Sequence, residues 1–172
     1  FKNSEQIDIK RGDTVVVAAN GGHDVGIVSL TGKLAEKQYN LKVKNKERHR
    51  WFEIYRKARE HDIERWKDAR KREKPVMIRA RQIAKDLGLE MKIGEVEFRG
   101  DGQKAIFYYL AEGRVDFREL IKHYAREFNI KVEMKQIGAR QEAALIGGIG
   151  SCGRELCCSS WRTDFSSINA HM

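Results

Sequence analysis

The 172-residue sequence predicts an α+β protein. Three observations predict its organisation: short apolar runs punctuated by glycine in residues 7–30, apolar residues at helical spacing within a basic stretch at 42–74, and alternating helix-like and strand-like patterns in 75–146. We therefore expect a small N-terminal β-hairpin or barrel element (1–41), a long basic helical segment (42–74), an α-β-β-α-β domain (75–146) and a Gly/Cys-rich C-terminal tail (147–172).

Composition narrows the functional class. The formal net charge is +9, which favours an acidic partner, with nucleic acid the first candidate. No stretch approaches the 18 or more consecutive apolar residues of a membrane span, and no signal-peptide core follows the first residues. All three cysteines lie within seven residues, unlike a secreted disulfide scaffold. We expect a cytoplasmic protein and, because the sequence begins with phenylalanine, a fragment.

The N-terminal element is expected to contain a hairpin. Apolar runs at 14–17 and 25–28 flank a turn at Asn20-Gly21-Gly22, a pattern typical of two antiparallel strands. Two strands are not stable alone, so the hairpin should belong to a small barrel or pack on the next segment of the chain.

The basic segment has fourteen Lys or Arg against seven Asp or Glu. Trp51, Ile54 or Tyr55, Ala58, Ile63, Trp66 and Ala69 recur at helical spacing, which predicts one long amphipathic helix or two shorter ones. Such a narrow apolar stripe suits packing against a partner, but a cationic helix could also follow a phosphate backbone. The nucleic-acid-binding candidates are Arg48, Arg50, Arg56, Arg59, Arg65, Arg70 and Arg72, with Trp51 and Trp66 as stacking surfaces.

The α-β-β-α-β domain is predicted element by element. Pro75 should start a helix that Gly88 ends, and strands follow at 91–98 and 105–111, the second one central because it lacks polar alternation. Asp116 and Glu119 suggest a capping box for a helix that closes at Asn129. A strand at 130–134 completes a right-handed crossover, with the helices on one face of the sheet.

The tail contains the most specific chemistry. Glycines surround Cys152, Cys157 and Cys158, and their exposed N–H groups could stabilise thiolates or cluster sulfides. The spacing C-x4-C-C is not a closed zinc site, and clustered cysteines could equally be buried as small apolar residues. No acid–base pair or activated nucleophile is recognisable around the histidines, so we expect no enzyme activity.

Several motifs in one order resemble the YaaT/RicT family, which carries a polymerase-suppressor-type C-terminal domain. They are the run 106–108, Gly113 to Leu120, Gln136 to Ala143 and Gly147 to Cys158. The likeness is close from about Glu90 to Phe165 and loose before that. Family members have proline where Ser151 stands here and a second cysteine motif downstream.

The resemblance implies a cytosolic bacterial adaptor that assembles with RicA-like and RicF-like helical proteins and acts with ribonuclease Y in messenger-RNA processing and, in sporulating bacteria, in sporulation. It also implies a 4Fe-4S iron–sulfur cluster, with Cys152, Cys157 and Cys158 as metal-ligand candidates. Because the second cysteine motif is missing, we expect partner or downstream cysteines to complete the ligand set, and the chain alone to lack the cluster. The alternative function is a direct RNA-binding module that uses the basic segment.

Overall fold

A computed structural model of the chain describes residues 1–20, 22–43, 46–47 and 49–162. It is an α+β structure with two three-stranded sheets, which confirms the predicted class. The chain divides into two compact units, Phe1–Lys135 and Gln136–Met172. None of the helices in the described ranges is long and apolar enough to cross a membrane.

The N-terminal sheet confirms the predicted hairpin. Strand β1 (Thr14–Ala19) pairs antiparallel with β2 (Gly22–Ile27), placing Thr14 opposite Ile27. Strand β3 (Ile54–Lys57) pairs with the other edge of β1, so the sheet order is β2-β1-β3. The apolar core of this sheet is small: Val15, Val17 and Ile54 are buried, with Ile7, Ile9 and Val28 packed against them.

Two segments of the N-terminal region, one before β3 and one that includes it, differ from the sequence prediction. Residues 32–41, expected within the β element, form most of helix α1 (Gly32–Lys42), none of whose side chains is buried. The helical prediction is wrong for residues 51–58, because none of them is helical and 54–57 form β3. Ile54 lies opposite Val17 and is buried in the small core. Pairing with a strand nearly forty residues earlier prevails here over a spacing that also fits a helix.

Helix α2 (Glu60–Asp86) is one continuous helix of 27 residues. The prediction that a new helix starts at Pro75 is wrong, since Pro75 lies exposed inside α2. An interior proline costs about 3 kcal/mol in helix propensity. The buried residues that immediately follow it, Val76 and Ala80 among them, offset this cost by packing against the second sheet. Gly88, at φ +64°, follows the helix end as predicted.

The second sheet has the order β4-β5-β6, with β5 central as predicted. Its strands are β4 (Lys92–Phe98), β5 (Lys104–Leu110) and β6 (Lys131–Gln136). The first two form an antiparallel hairpin in which Phe98 lies opposite Ala105. The N–H of Lys131 donates to the carbonyl of Gln103 at 2.8 Å, so β6 begins beside the start of β5. This placement agrees with a crossover through the intervening helix, whose hand stays a prediction.

Helix α3 (Arg118–Phe128) covers the same sheet face as α2. The rings of Phe107 and Tyr124 stack at 4.6 Å between centroids, and the Tyr124 hydroxyl donates to the carbonyl of Ala80 at 2.7 Å. The predicted capping box is wrong, because α3 begins after Phe117 without a side-chain cap. Instead, the Asp116 carboxylate accepts bonds from the N–H and side chain of Arg118. Asn129, in the left-handed region, closes α3 as predicted.

A polar clasp joins the hairpin to the turn after β4. The Asp24 carboxylate accepts hydrogen bonds from the Arg99 guanidinium at 2.8 Å and from the Gly100 N–H at 3.0 Å. A Cβ at Gly100 would lie 2.8 Å from the backbone nitrogen of Val25. Glycine is therefore required at this position by the close approach of two backbones.

Candidate functional site

The cysteines lie on a compact turn of the second unit. After helix α4 (Ala139–Ile146), Ile149 forms an antiparallel bridge with Glu155, and the Gly150 N–H donates to the Arg154 carbonyl at 2.8 Å. Gly147, Gly148 and Gly153 all have positive φ, which side-chain-bearing residues rarely adopt. These glycines allow the chain to fold back and place Cys152 at the tip of the turn, with Cys157 and Cys158 opening the short helix α5 (Cys157–Ser160).

The thiols are accessible but do not form a ligand set. Cys152 and Cys157 are exposed, Cys158 is half-buried, and all three are free. Thiolates are suitable donors for an iron–sulfur cluster. However, within the described ranges no three His, Cys, Asp or Glu side chains lie close enough to hold a metal ion. The donors therefore fit the cluster in chemistry but not in placement, and their assignment as ligands stays a prediction.

Exposed apolar side chains accompany the cysteines in the same unit. Helices α4 and α5 pack against each other, yet Leu145, Ile146 and Ile149 are exposed, and Trp161 is 75% exposed. Concentrations of large exposed apolar side chains are typical of contact surfaces for other molecules. This exposed apolar surface was not predicted, because its four residues show no regular spacing within a glycine-rich stretch of the sequence.

The arginines predicted to bind nucleic acid have mostly internal contacts. Arg56 forms a bidentate pair with Asp62, and Arg59 donates its N–H to the same carboxylate. The guanidinium groups of Arg50, Arg70 and Arg72 lie over the rings of Phe52, Trp66 and Phe98. Arg65 is exposed, and Arg48 lies outside the described residues. Their role as a nucleic-acid-binding set therefore stays a prediction.

A lysine stripe on α2, defined as Lys67, Lys71, Lys74 and Lys85, was not predicted. These residues follow at i, i+4, i+7 and i+18, so they share the helix face opposite the buried residues. They span about 27 Å at the usual rise per residue. Lys71 pairs with Asp68 at 3.0 Å, while the other three form no ion pair with any residue that the structure describes. Their spacing would have revealed the stripe if α2 had not been divided at Pro75.

The carboxyl group of Asp62, at the start of α2, has a strongly lowered pKa. Hydrogen bonds from the Arg56 guanidinium and then from the Arg59 N–H hold the pKa of Asp62 well below its usual range. The Asp62 side chain is only 14% exposed. Because Arg56 belongs to β3 and Asp62 to the first turn of α2, this pair connects the N-terminal sheet to the long helix.

The stretch from β3 to β6 forms an α+β module, and its sequence matches that of a known family of protein domains. Residues 52–137 match the model of the PSP1 C-terminal conserved region. The chain belongs to this family. The match includes β3, α2, the second sheet and α3, and it ends before the cysteine turn.

Two curated proteins are similar to parts of the chain. Over 85 residues it is 53% identical to Stage 0 sporulation protein YaaT of Bacillus subtilis (strain 168), covering 49% of this chain and 31% of that protein. It is 27% identical over 81 residues to the uncharacterized protein PB7E8.02 of Schizosaccharomyces pombe, covering 47% of this chain and 11% of that protein. The matches thus span less than a third of each relative. No solved structure matches significantly.

Proposed function

We propose that this chain is a non-enzymatic regulatory adaptor in a bacterial complex that modulates RNA processing by ribonuclease Y. Its partners in this proposal are RicA-like and RicF-like helical proteins, and its site of action is the cytoplasm. The observation that carries the proposal is the 53% identity over 85 residues with a protein named for sporulation. The partners and the ribonuclease come from the resemblance of the sequence motifs to the YaaT/RicT family.

The cysteine-bearing unit supports an adaptor role through its exposure. A partner that covers Ile149 and Trp161 would bury apolar surface beside Cys152 and Cys157, which are themselves accessible. In this proposal the three cysteines supply thiolates to a 4Fe-4S cluster, and a partner or downstream cysteine supplies the remaining ligand. Contact with the partner would also have to bring the three sulfur atoms together.

The four histidines that the structure describes lie in different surroundings. His49 contacts the rings of Tyr39 and Trp51, and His23 is a half-buried residue of β2. His61 and His123 are exposed on α2 and α3. None of these four donates to or accepts from a serine or cysteine side chain within the part of the chain that the structure describes.

The test reconstitutes RNA processing by ribonuclease Y with the two helical partners, with and without this chain, under anaerobic conditions. We expect cleavage of a structured RNA substrate to change when the chain is present. The variant Cys152→Ser/Cys157→Ser/Cys158→Ser should lose both this effect and the bound iron and sulfide, whereas the neighbouring Ser159→Ala should retain both. Unchanged cleavage with all components present would refute the adaptor proposal.

Direct RNA binding is a second candidate function, favoured by the lysine stripe. Three of its four lysines lack an ion pair with the described residues, so they are available to neutralise phosphates. We expect Lys67→Glu/Lys71→Glu/Lys74→Glu to weaken RNA binding and to flatten its salt dependence. Lys122→Glu, on the exposed face of α3 where the lysine already pairs with Glu119 at 2.8 Å, is the control. Equal salt dependence in both variants would argue against the stripe.

A further inference from the structure

An open groove lies in the N-terminal part of the chain, between α1 and the sheet β2-β1-β3. Its volume is about 990 Å³. Apolar residues of β1, including Val15 and Val17, line one side of it, and Ala35 and Tyr39 of α1 line the other. No side chain of α1 is buried, so this helix flanks the groove without filling it.

Three aromatic rings pack together at the edge of this groove. The Trp51 ring lies 4.8 Å from that of Tyr39 and 4.9 Å from that of His49, and Tyr39 and His49 are 5.3 Å apart. Trp51 is nevertheless 45% exposed. A packed cluster with one exposed ring offers a flat surface on which a planar group can stack.

Polar groups along the groove are suited to the edges of such a planar group. Asn20, Gln38 and Asn40 line it, and amides can both donate and accept hydrogen bonds. The Asn20 side-chain oxygen already accepts from the Arg50 guanidinium at 3.4 Å. Arg99 also lines it, and its Nε atom is buried with no hydrogen-bond partner in the described part of the chain. Buried donors without a partner are rare in folded proteins.

The surrounding charge indicates an anionic ligand. Lys42, the last residue of α1, is exposed and lines the groove, and Lys46 and Arg50 are exposed in the chain that follows. Two acids line the groove, Asp24 and Glu36, and Asp24 already pairs with Arg99 at 2.8 Å. A cationic ligand fits poorly, because the three rings contact one another and do not enclose the space that an ammonium group needs.

We propose that this groove binds single-stranded RNA, with one base stacked on Trp51 and its edge facing the amides of the groove. The inference deepens the RNA-binding candidate above, to which it adds a base-contacting site separate from the lysine stripe. Trp66 is unsuited to this role because the Arg70 guanidinium lies over its ring at 5.1 Å. It therefore serves as an internal control.

The experiment measures binding of a mixed-sequence 12-nucleotide RNA to the chain and to Trp51→Ala, Trp51→Phe and Trp66→Phe. We expect Trp51→Ala to weaken binding by about tenfold or more, as loss of one stacked base predicts, with Trp51→Phe weakened less and Trp66→Phe unchanged. Circular dichroism of each variant checks its fold. Similar affinities for Trp51→Ala and Trp66→Phe would overturn the proposal.

Three further probes test the wild-type chain. An abasic strand and inorganic polyphosphate carry the charge but not the bases, so both should bind more weakly than the RNA. Equal affinity would reduce the interaction to charge alone, and tighter binding of DNA of the same sequence would overturn the choice of RNA. These outcomes are distinguishable from failure of the adaptor proposal, because ribonuclease Y cleavage with the partners can respond to the chain even when Trp51→Ala no longer binds RNA.

Discussion

The two sheets of this chain differ in how much apolar core supports them. The sheet β4-β5-β6 shares fourteen buried residues with α2 and α3, among them Phe107, Leu120 and Tyr124. The sheet β2-β1-β3 has three in its cluster, and beside it lies the open groove. A region with a small core opens at lower free-energy cost than one with a large core. The comparison indicates that the second sheet provides stability while the first leaves surface available for binding.

The largest effect should follow from a cavity in the larger core. Leu120 is 0% exposed, so Leu120→Ala should lower the free energy of unfolding by about 2–5 kcal/mol through lost burial and an unfilled cavity. Urea denaturation followed by circular dichroism measures this loss. The control is Leu41→Ala on α1, where the leucine is 74% exposed and the change should stay within about 0.5 kcal/mol. Similar losses in both variants would contradict the assigned difference between the regions.

A medium effect is expected where the two regions touch. In Gly100→Ala the new Cβ would meet the Val25 nitrogen at 2.8 Å and its Cγ2 at 3.0 Å, so the hairpin must shift. Overpacking of this kind costs about 1–3 kcal/mol. Hydrogen exchange should show reduced protection in β1 and β2 but not in β5. Gly113→Ala is the matched control because a Cβ there meets nothing within 4 Å, and equal exchange in the two variants would show that the clasp is unimportant.

The second sheet was more predictable from sequence than the first. Phe117, Leu120, Tyr124 and Phe128 repeat at helical spacing and bury one face, so local periodicity alone located α3. The hairpin β4-β5 was also predicted from a local pattern, because its two strands are consecutive in the sequence. In the first sheet, Ile54 pairs with Val17, and nothing in the sequence near Ile54 specifies so distant a strand.

The candidate sites were less predictable than the fold, for physical reasons that particular residues illustrate. Pro75 suggested a helix start, although packing of Val76 and Ala80 keeps α2 continuous. Because the prediction divided this helix at Pro75, the lysine stripe that runs across the proline was not recognised. The groove requires Tyr39, Trp51 and Arg99 to meet from three separate segments. The cysteines were recognised from the sequence because all three lie within seven residues. Closeness in sequence does not determine whether their sulfur atoms converge.

The smallest expected effect concerns the second connection between the regions, the pair of Arg56 on β3 and Asp62 on α2. Asp62→Asn should lower the free energy of unfolding by about 1 kcal/mol near neutral pH, the scale of a surface ion pair combined with a helix-start hydrogen bond. The Arg56 and Arg59 hydrogen bonds lower the pKa of Asp62 in the folded chain. Its contribution is therefore present above the unfolded pKa of about 3.9 and is lost as the pH falls toward the folded value.

Urea titrations of the chain and of Asp62→Asn at several pH values from 7 to below 3 measure this difference directly. The stability gap should be constant above about pH 5 and narrow in acid. Asp68→Asn is the control, because its carboxylate pairs with Lys71 while remaining 71% exposed. A gap that persists unchanged in acid would mean that the Asp62 charge is not what stabilises this connection.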